Sequence, residues 1–125
     1  MRRRRITRPL NVGDVVVGGD APITVQSMTK TDTRDVAATV DQIKGLEDAG
    51  CEIVRCAVPD MEAAKALSGI KKQTHIPVIA DIHFHYQLAL EALESGVDCL
   101  RLNPGNIRDR EKVEVVVREA KASQV

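Results

Sequence analysis

Five polar residues stand within three short apolar runs, at positions flanked by hydrophobic neighbours. They are Arg55, Asp81, His83, Arg101 and Asn103. Residues two apart on a strand share one face, so these side chains point away from the face that carries their apolar neighbours. Two guanidiniums directed into one cavity are costly to desolvate unless an anion meets them, and each presents a planar fork that matches phosphoryl oxygens. The pattern predicts an anion site that prefers phosphate.

An internal ion pair is the alternative for these arginines, with Asp81 neutralising one of them. Only one inward carboxylate is expected against two guanidiniums, which favours an external anion over complete internal pairing. The loop Pro104-Gly105-Asn106 follows directly after Asn103. Together with Asn103, this loop is expected to add amide donors to the anion site.

Asp81, His83 and His85 also have a spacing that metal ligands can have. A spacing of two places all three on one face of a strand, and a His-x-His pair after a barrel strand is one way to hold zinc. No further ligand is identifiable, since His75 precedes Ile76-Pro77 at the opposite end of the strand. We therefore favour a hydrogen bond from His83 to a substrate oxygen over a metal site, and place His85 in the loop.

Four apolar runs, each followed by a stretch with helical periodicity, must position these residues. The runs are 22–28, 52–58, 77–83 and 99–103. Asp32 or Thr33 is expected to cap the first helix. Gly50 is expected to end that helix, and Asp60 to cap the second. The alternation of strand and helix indicates a parallel sheet, and polar residues at C-terminal strand ends are typical of (β/α)₈ barrels.

The N-terminal part of the chain has a different pattern. Residues 10–19 alternate and turn like a small β-hairpin, which would plug the bottom of a barrel. In the run 22–28, the same alternation predicts that Ile23 and Val25 face the helices. Arg2 to Arg5 form a basic run, for which a solvated arm is favoured over a contact with nucleic acid.

Composition excludes several classes of protein. The 125 residues carry 18 Lys plus Arg against 18 Asp plus Glu, so net charge gives no support for a nucleic-acid partner. No apolar run reaches the roughly 18 residues of a membrane span. The three cysteines match no zinc or ferredoxin spacing, which indicates reduced core thiols. We expect a cytoplasmic protein with one core and no membrane partner.

Several segments occur together, and in this order, in one known family. They include Val25-Gln26-Ser27-Met28-Thr29, Ala49-Gly50-Cys51-Glu52-Ile53-Val54-Arg55, Ala80-Asp81-Ile82-His83-Phe84 and Arg101-Leu102-Asn103-Pro104-Gly105-Asn106-Ile107. On these segments the chain resembles the N-terminal part of the 4-hydroxy-3-methylbut-2-en-1-yl diphosphate synthase family. The likeness covers nearly the whole chain, which makes it far more specific than a lone short motif.

The resemblance implies a reaction and its partners. Members of this family act in the non-mevalonate isoprenoid pathway. They convert 2-C-methyl-D-erythritol 2,4-cyclodiphosphate into 4-hydroxy-3-methylbut-2-enyl diphosphate by a two-electron reductive ring opening with loss of water. A TIM barrel holds the diphosphate, and a separate C-terminal domain carries a [4Fe-4S] cluster on three cysteines and a glutamate. The family enzyme is a homodimer that receives electrons from flavodoxin or ferredoxin.

By motif, the resemblance assigns substrate contacts to Arg55, Asp81, His83, Arg101 and Asn103, and assigns no catalytic residue. The chain departs from the family at His85-Tyr86-Gln87, where the usual sequence is Asp-Tyr-Arg, so no role is carried over to residues 85 and 87.

Residue 125 falls where the family begins a fifth strand. Residues 1–125 are therefore expected to form the N-terminal half of a (β/α)₈ TIM barrel, a β-hairpin plus four βα units, without the iron–sulfur domain and inactive alone. The alternatives are a non-catalytic half-barrel, a metal-dependent hydrolase that uses Asp81, His83 and His85, and a pteroate-synthase-like transfer.

Overall fold

The computed structural model describes residues 3–125 and contains two sheets. The strands β1 (Leu10–Val12) and β2 (Val15–Val17) form an antiparallel hairpin. Four strand-helix units follow: β3 (Gln26–Met28), α1 (Val36–Asp48), β4 (Ile53–Val58), α2 (Met61–Gln73), β5 (Val78–Ile82), α3 (Tyr86–Glu94), β6 (Cys99–Leu102) and α4 (Arg110–Ala122). The second sheet is parallel with strand order β3-β4-β5-β6. The predicted hairpin and four βα units are confirmed.

The helices cover one face of the parallel sheet. Residues of β4 and β5 at alternate positions, Val54, Cys56, Val58, Val78, Ala80 and Ile82, are fully buried beneath them. The helices contribute side chains such as Ile43 of α1 and Leu67 of α2, both fully buried. Each such large aliphatic side chain contributes about 1.5–3 kcal/mol by leaving water. This face is therefore the main hydrophobic core.

The hairpin closes the N-terminal end of the opposite face. Val12 packs against Ile53 of β4 and Ile79 of β5 in a second, smaller cluster. Gly13 at the hairpin turn has φ +58°, and a Cβ there would lie 3.1 Å from both the Asp98 carboxylate and the Pro77 ring. The hairpin thus packs closely against the bottom of the sheet, as the sequence pattern predicts.

The cap of α1 differs from the prediction. The Asp35 carboxylate accepts the hydrogen bond from the backbone N–H three residues further on. Thr33 is instead buried, and its hydroxyl donates to the carbonyl oxygen of Ala57 over 2.6 Å. The prediction of Asp32 or Thr33 was wrong because the loop after β3 packs onto the end of β4 before the helix begins. Gly50 (φ +98°) and Asp60 act as predicted.

The first parallel strand is shorter than its apolar run. β3 holds only three residues, and Ile23 and Val25 lie before it with 86% and 56% of their surfaces exposed. The prediction that these two side chains face the helices was therefore wrong. In the basic run, Arg3 to Arg5 are exposed, while Arg2 lies outside the described residues.

The three cysteines are free. Burial raises the pKa of Cys56 and of Cys99, which favours the neutral thiol in both. Within residues 3–125, no helix combines the length and apolar content needed to cross a membrane.

Candidate anion-binding site

Interior residues of three neighbouring strands meet on the face opposite the helices. The parallel register places Arg55 opposite Met28 of β3 and Ile79 of β5. Two residues further along β5, toward the C-terminal ends of the strands, Asp81 lies opposite Arg101 of β6. Because side chains alternate along each strand, Arg55, Asp81 and Arg101 all project from the same face. The predicted orientation of these residues follows directly from the register.

The Asp81 carboxylate is the centre of the site. Its side chain is only 4% exposed, and Arg101 Nη1 donates to its Oδ1 over 3.0 Å. Arg55 Nε lies 3.5 Å and His83 Nε2 3.8 Å from its Oδ2. We call these four residues the Asp81 cluster. A single buried carboxylate thus organises two guanidiniums and an imidazole.

The Asp81 cluster carries an excess of positive charge. Two guanidiniums and one carboxylate leave a net charge of +1, even with His83 neutral. Arg55 Nε is buried and makes no hydrogen bond, because its contact with Asp81 lacks hydrogen-bond geometry. The side chains of Arg55 and Arg101 remain 32% and 45% exposed. The internal ion pairing that the sequence left open does form, and it leaves donors available to an anion.

Met28 supports one of the arginines. Its sulfur Sδ accepts a hydrogen bond from Arg55 Nη2 over 3.5 Å. The Arg55 carbonyl oxygen accepts a hydrogen bond from the Thr29 backbone N–H at 3.0 Å. No sequence pattern predicts such a contact between a thioether and a guanidinium.

The loop after β6 is folded on itself. Asn103 Oδ1 accepts from the backbone N–H of Gly105 over 2.9 Å, and its carbonyl oxygen accepts from the backbone N–H of Asn106, also over 2.9 Å. The side-chain nitrogen of Asn106 donates to the carbonyl oxygen of His83 over 2.8 Å. The backbone amides of Gly105 and Asn106 are used within the turn, so of the amide donors expected from this loop these two are not available to an anion.

The structure brings four of the five predicted site residues together and leaves the fifth apart. Arg55, His83 and Arg101 surround Asp81, whereas the contacts of Asn103 are within its own loop. That loop joins the cluster indirectly, through the bond from Asn106 to His83.

The described residues 3–125 contain no group of three or more His, Cys, Asp or Glu side chains that could hold a metal ion. His85 is exposed just before α3, so the trio Asp81, His83 and His85 is not assembled as a ligand set. The cysteines also do not converge on one point that could hold an iron–sulfur cluster.

Similar solved structures share the fold at low sequence identity. A mandelate oxidase variant aligns over 80% of this chain and 41% of its own, with a TM-score of 0.58 and 16% identity. The thiamine phosphate pyrophosphorylase from Pyrococcus furiosus aligns over 80% of this chain and 60% of its own, with a TM-score of 0.56 and 17% identity. These likenesses concern the α/β fold alone.

Sequence comparison is far more specific. Curated relatives named 4-hydroxy-3-methylbut-2-en-1-yl diphosphate synthase (flavodoxin) include that of Geobacter sulfurreducens, 68% identical over 92% of this chain and 33% of the relative. That of Dehalococcoides mccartyi is 57% identical over 100% of this chain and 36% of the relative. The chain thus spans about a third of the length of these relatives. Residues 7–125 match the GcpE TIM-barrel domain. The chain therefore belongs to the 4-hydroxy-3-methylbut-2-en-1-yl diphosphate synthase family, within its GcpE TIM-barrel domain.

Proposed function

We propose that the protein containing this chain reductively opens 2-C-methyl-D-erythritol 2,4-cyclodiphosphate to 4-hydroxy-3-methylbut-2-enyl diphosphate. In this proposal, residues 1–125 supply part of the barrel that binds the diphosphate. Relatives 57–68% identical to the chain are named for this product. The observation that carries the proposal is the Asp81 cluster, which has net positive charge at the C-terminal end of the sheet.

The two arginines would bind the diphosphate directly. Both side chains are partly exposed on the interior face, and each has N–H groups that Asp81 does not use. A guanidinium pairs with phosphoryl oxygens through charge-assisted hydrogen bonds, which are stronger than neutral ones. Arg55 and Arg101 would therefore neutralise and orient the substrate's charge.

Asp81 would act behind the arginines rather than on the diphosphate. A carboxylate and a phosphate repel each other, and Asp81 is buried while its arginine partners reach the open side. His83, which is about one third exposed, would donate to a substrate oxygen. Asn103 would contribute its side-chain amide beside them.

The redox step needs a group that the described residues do not hold. Opening the ring takes up two electrons and two protons, and one oxygen leaves as water. Residues 3–125 contain no fitting ligand set, so we propose that the [4Fe-4S] cluster is bound by a C-terminal domain outside this chain. The relatives' names point to flavodoxin as the donor, with ferredoxin as the alternative. A homodimer and a cytoplasmic location stay predictions.

The complete reading frame that encodes this chain provides the test. The frame should be sequenced past Val125, and its product purified without oxygen and assayed with the cyclic diphosphate and reduced flavodoxin. We expect an iron-containing protein that forms the linear diphosphate. A stop codon after Val125, with no turnover, would favour the non-catalytic half-barrel. Stoichiometric zinc that is lost in His83→Ala would overturn the proposal in favour of a hydrolase.

A further inference from the structure

We propose that Asn106 is a positioning residue that fixes His83 at the mouth of the site. This inference rests on the proposed function, because it concerns the placement of a group that would contact the substrate. Asn106 is exposed, and its side-chain nitrogen reaches the Asp81 cluster through the hydrogen bond to the His83 carbonyl oxygen.

His83 differs from the rest of the cluster in how its backbone is held. Arg55, Asp81 and Arg101 lie within strands, where neighbouring strands fix the backbone through the ladder. β5 ends at Ile82, so His83 is the first residue beyond the paired region. Its backbone therefore needs another support, and the 2.8 Å bond from the Asn106 side chain supplies one.

Asn106 is a rigid support because its own turn is anchored. Its backbone N–H donates to the Asn103 carbonyl oxygen over 2.9 Å, and the next residue, Ile107, donates to the same oxygen over 3.0 Å. Ile107 is buried in the main hydrophobic core. The amide of Asn106 thus connects the core-anchored loop after β6 to the free end of β5. Movement of this loop would move His83 relative to the arginines.

Three variants of the product of the complete reading frame separate this role from simple packing. Asn106→Ala removes the side chain, Asn106→Asp keeps its shape but loses the donor, and Asn106→Gln keeps a donor amide. Misplacement of a substrate contact should lower kcat/KM about tenfold in Asn106→Ala and at least as much in Asn106→Asp, mostly through KM. Asn106→Gln should recover part of the loss. Arg108→Ala is the matched control, since Arg108 bonds only within the same loop, to the Gly105 carbonyl oxygen.

The outcomes separate the two proposals. Wild-type protein that does not convert the cyclic diphosphate would overturn the proposed function. Active wild-type protein with Asn106→Asp close to wild type, or with Asn106→Ala no worse than Arg108→Ala, would overturn the role of Asn106. If Asn106→Ala lowers the Tm, comparing kcat/KM of Asn106→Asp with that of Asn106→Gln still distinguishes positioning from packing. A role in packing alone predicts a higher kcat/KM for the isosteric Asn106→Asp.

Discussion

The interior face of the sheet carries two layers of side chains with opposite character. Ile53, Ile79 and Cys99 form the lower layer, which packs under the hairpin. Arg55, Asp81 and Arg101 each stand two residues further along the same three strands, and they form the upper layer because both guanidiniums reach the Asp81 carboxylate. A shift of two residues changes the side chain without changing the face. The same backbone therefore builds an apolar plug at one end and a charged site at the other.

The difference lies in what covers each layer. The chain closes the lower layer with its own hairpin, through Val12 and Val15. The upper layer keeps two partly exposed guanidiniums around a buried carboxylate. Folding stability alone would favour an apolar residue at each position of the upper layer, since a buried ion pair seldom stabilises a protein more than hydrophobic packing does. The lower layer thus serves stability, and the charge of the upper layer fits the proposed binding of a diphosphate.

The largest expected effect is on the stability of the lower layer. Ile53→Ala should lower the free energy of unfolding by about 3 kcal/mol, because it leaves a cavity at a site that is 1% exposed. Chemical denaturation measures the loss. Ile23→Ala is the matched control, since Ile23 is largely exposed and its truncation should change the unfolding free energy by less than about 0.5 kcal/mol. Equal losses in the two variants would contradict the assignment of Ile53 to the plug.

The next effect is on binding by the upper layer. Arg55→Ala or Arg101→Ala should weaken binding of the cyclic diphosphate by about 2 kcal/mol, or about 30-fold, because a charge-assisted contact to phosphate is lost. Isothermal titration calorimetry measures the affinity. Arg110→Ala, which removes an exposed arginine that pairs only with Glu114 on α4, should bind the cyclic diphosphate as wild type does. Unchanged affinity in both Arg55→Ala and Arg101→Ala would remove the site assignment.

Asp81→Asn separates the effect of the net charge of the upper layer from the effect of the alignment of its two arginines. Losing the carboxylate raises the net charge of Arg55, Asp81 and Arg101 from +1 to +2 and releases both guanidiniums. We expect kcat/KM to fall about tenfold because the arginines lose their alignment. Affinity for inorganic pyrophosphate should not fall, since the added positive charge attracts any anion. A parallel loss of pyrophosphate affinity would contradict this expectation and show that alignment of the arginines matters more for binding than the added positive charge.

Much of the site could be predicted because strand geometry has a period of two. The alternation of polar and apolar residues around Asp81 and Arg101 determines which side chains face inward, and burial under helices determines which face outward. The hairpin plug was predictable for the same reason. The pairing of both arginines with Asp81 was not, because it depends on the register between strands and on the reach of each side chain.

Loops and edges were less predictable. The sequence pattern predicts that Ile23 belongs to a strand. In the structure, Ile23 lies before a three-residue edge strand and is exposed. The loop Pro104-Gly105-Asn106 offers donors in sequence, but its backbone conformation uses them locally. Asp35 caps α1 although Asp32 was an equal candidate by residue type. In each case the local structure depends on tertiary contacts, and residue propensities carry no information about those contacts.

The smallest expected effect concerns an exposed rim formed by Asp32, Arg34 and Asp60. Arg34 forms a bidentate contact with Asp32 and lies 3.5 Å from the carboxylate of Asp60, so it links the loop after β3 to the start of α2. Hydrogen bonds from the Arg34 side chain and backbone N–H lower the pKa of Asp32 to about 2. A carboxyl-carbon NMR titration should therefore find its midpoint near that pH.

In Arg34→Ala, the pKa of Asp32 should rise back toward the usual range for aspartate, whereas Arg34→Lys should give an intermediate rise because it keeps the charge but loses the planar fork. A lowered pKa means that any stabilisation by Asp32 is present above its unfolded range and is lost as the pH falls toward 2. Both side chains are about half exposed, so solvent screens the pair and the unfolding free energy at neutral pH should barely change in Arg34→Ala. A large loss of stability there would mean that the rim, and not only the plug, holds this half of the barrel together.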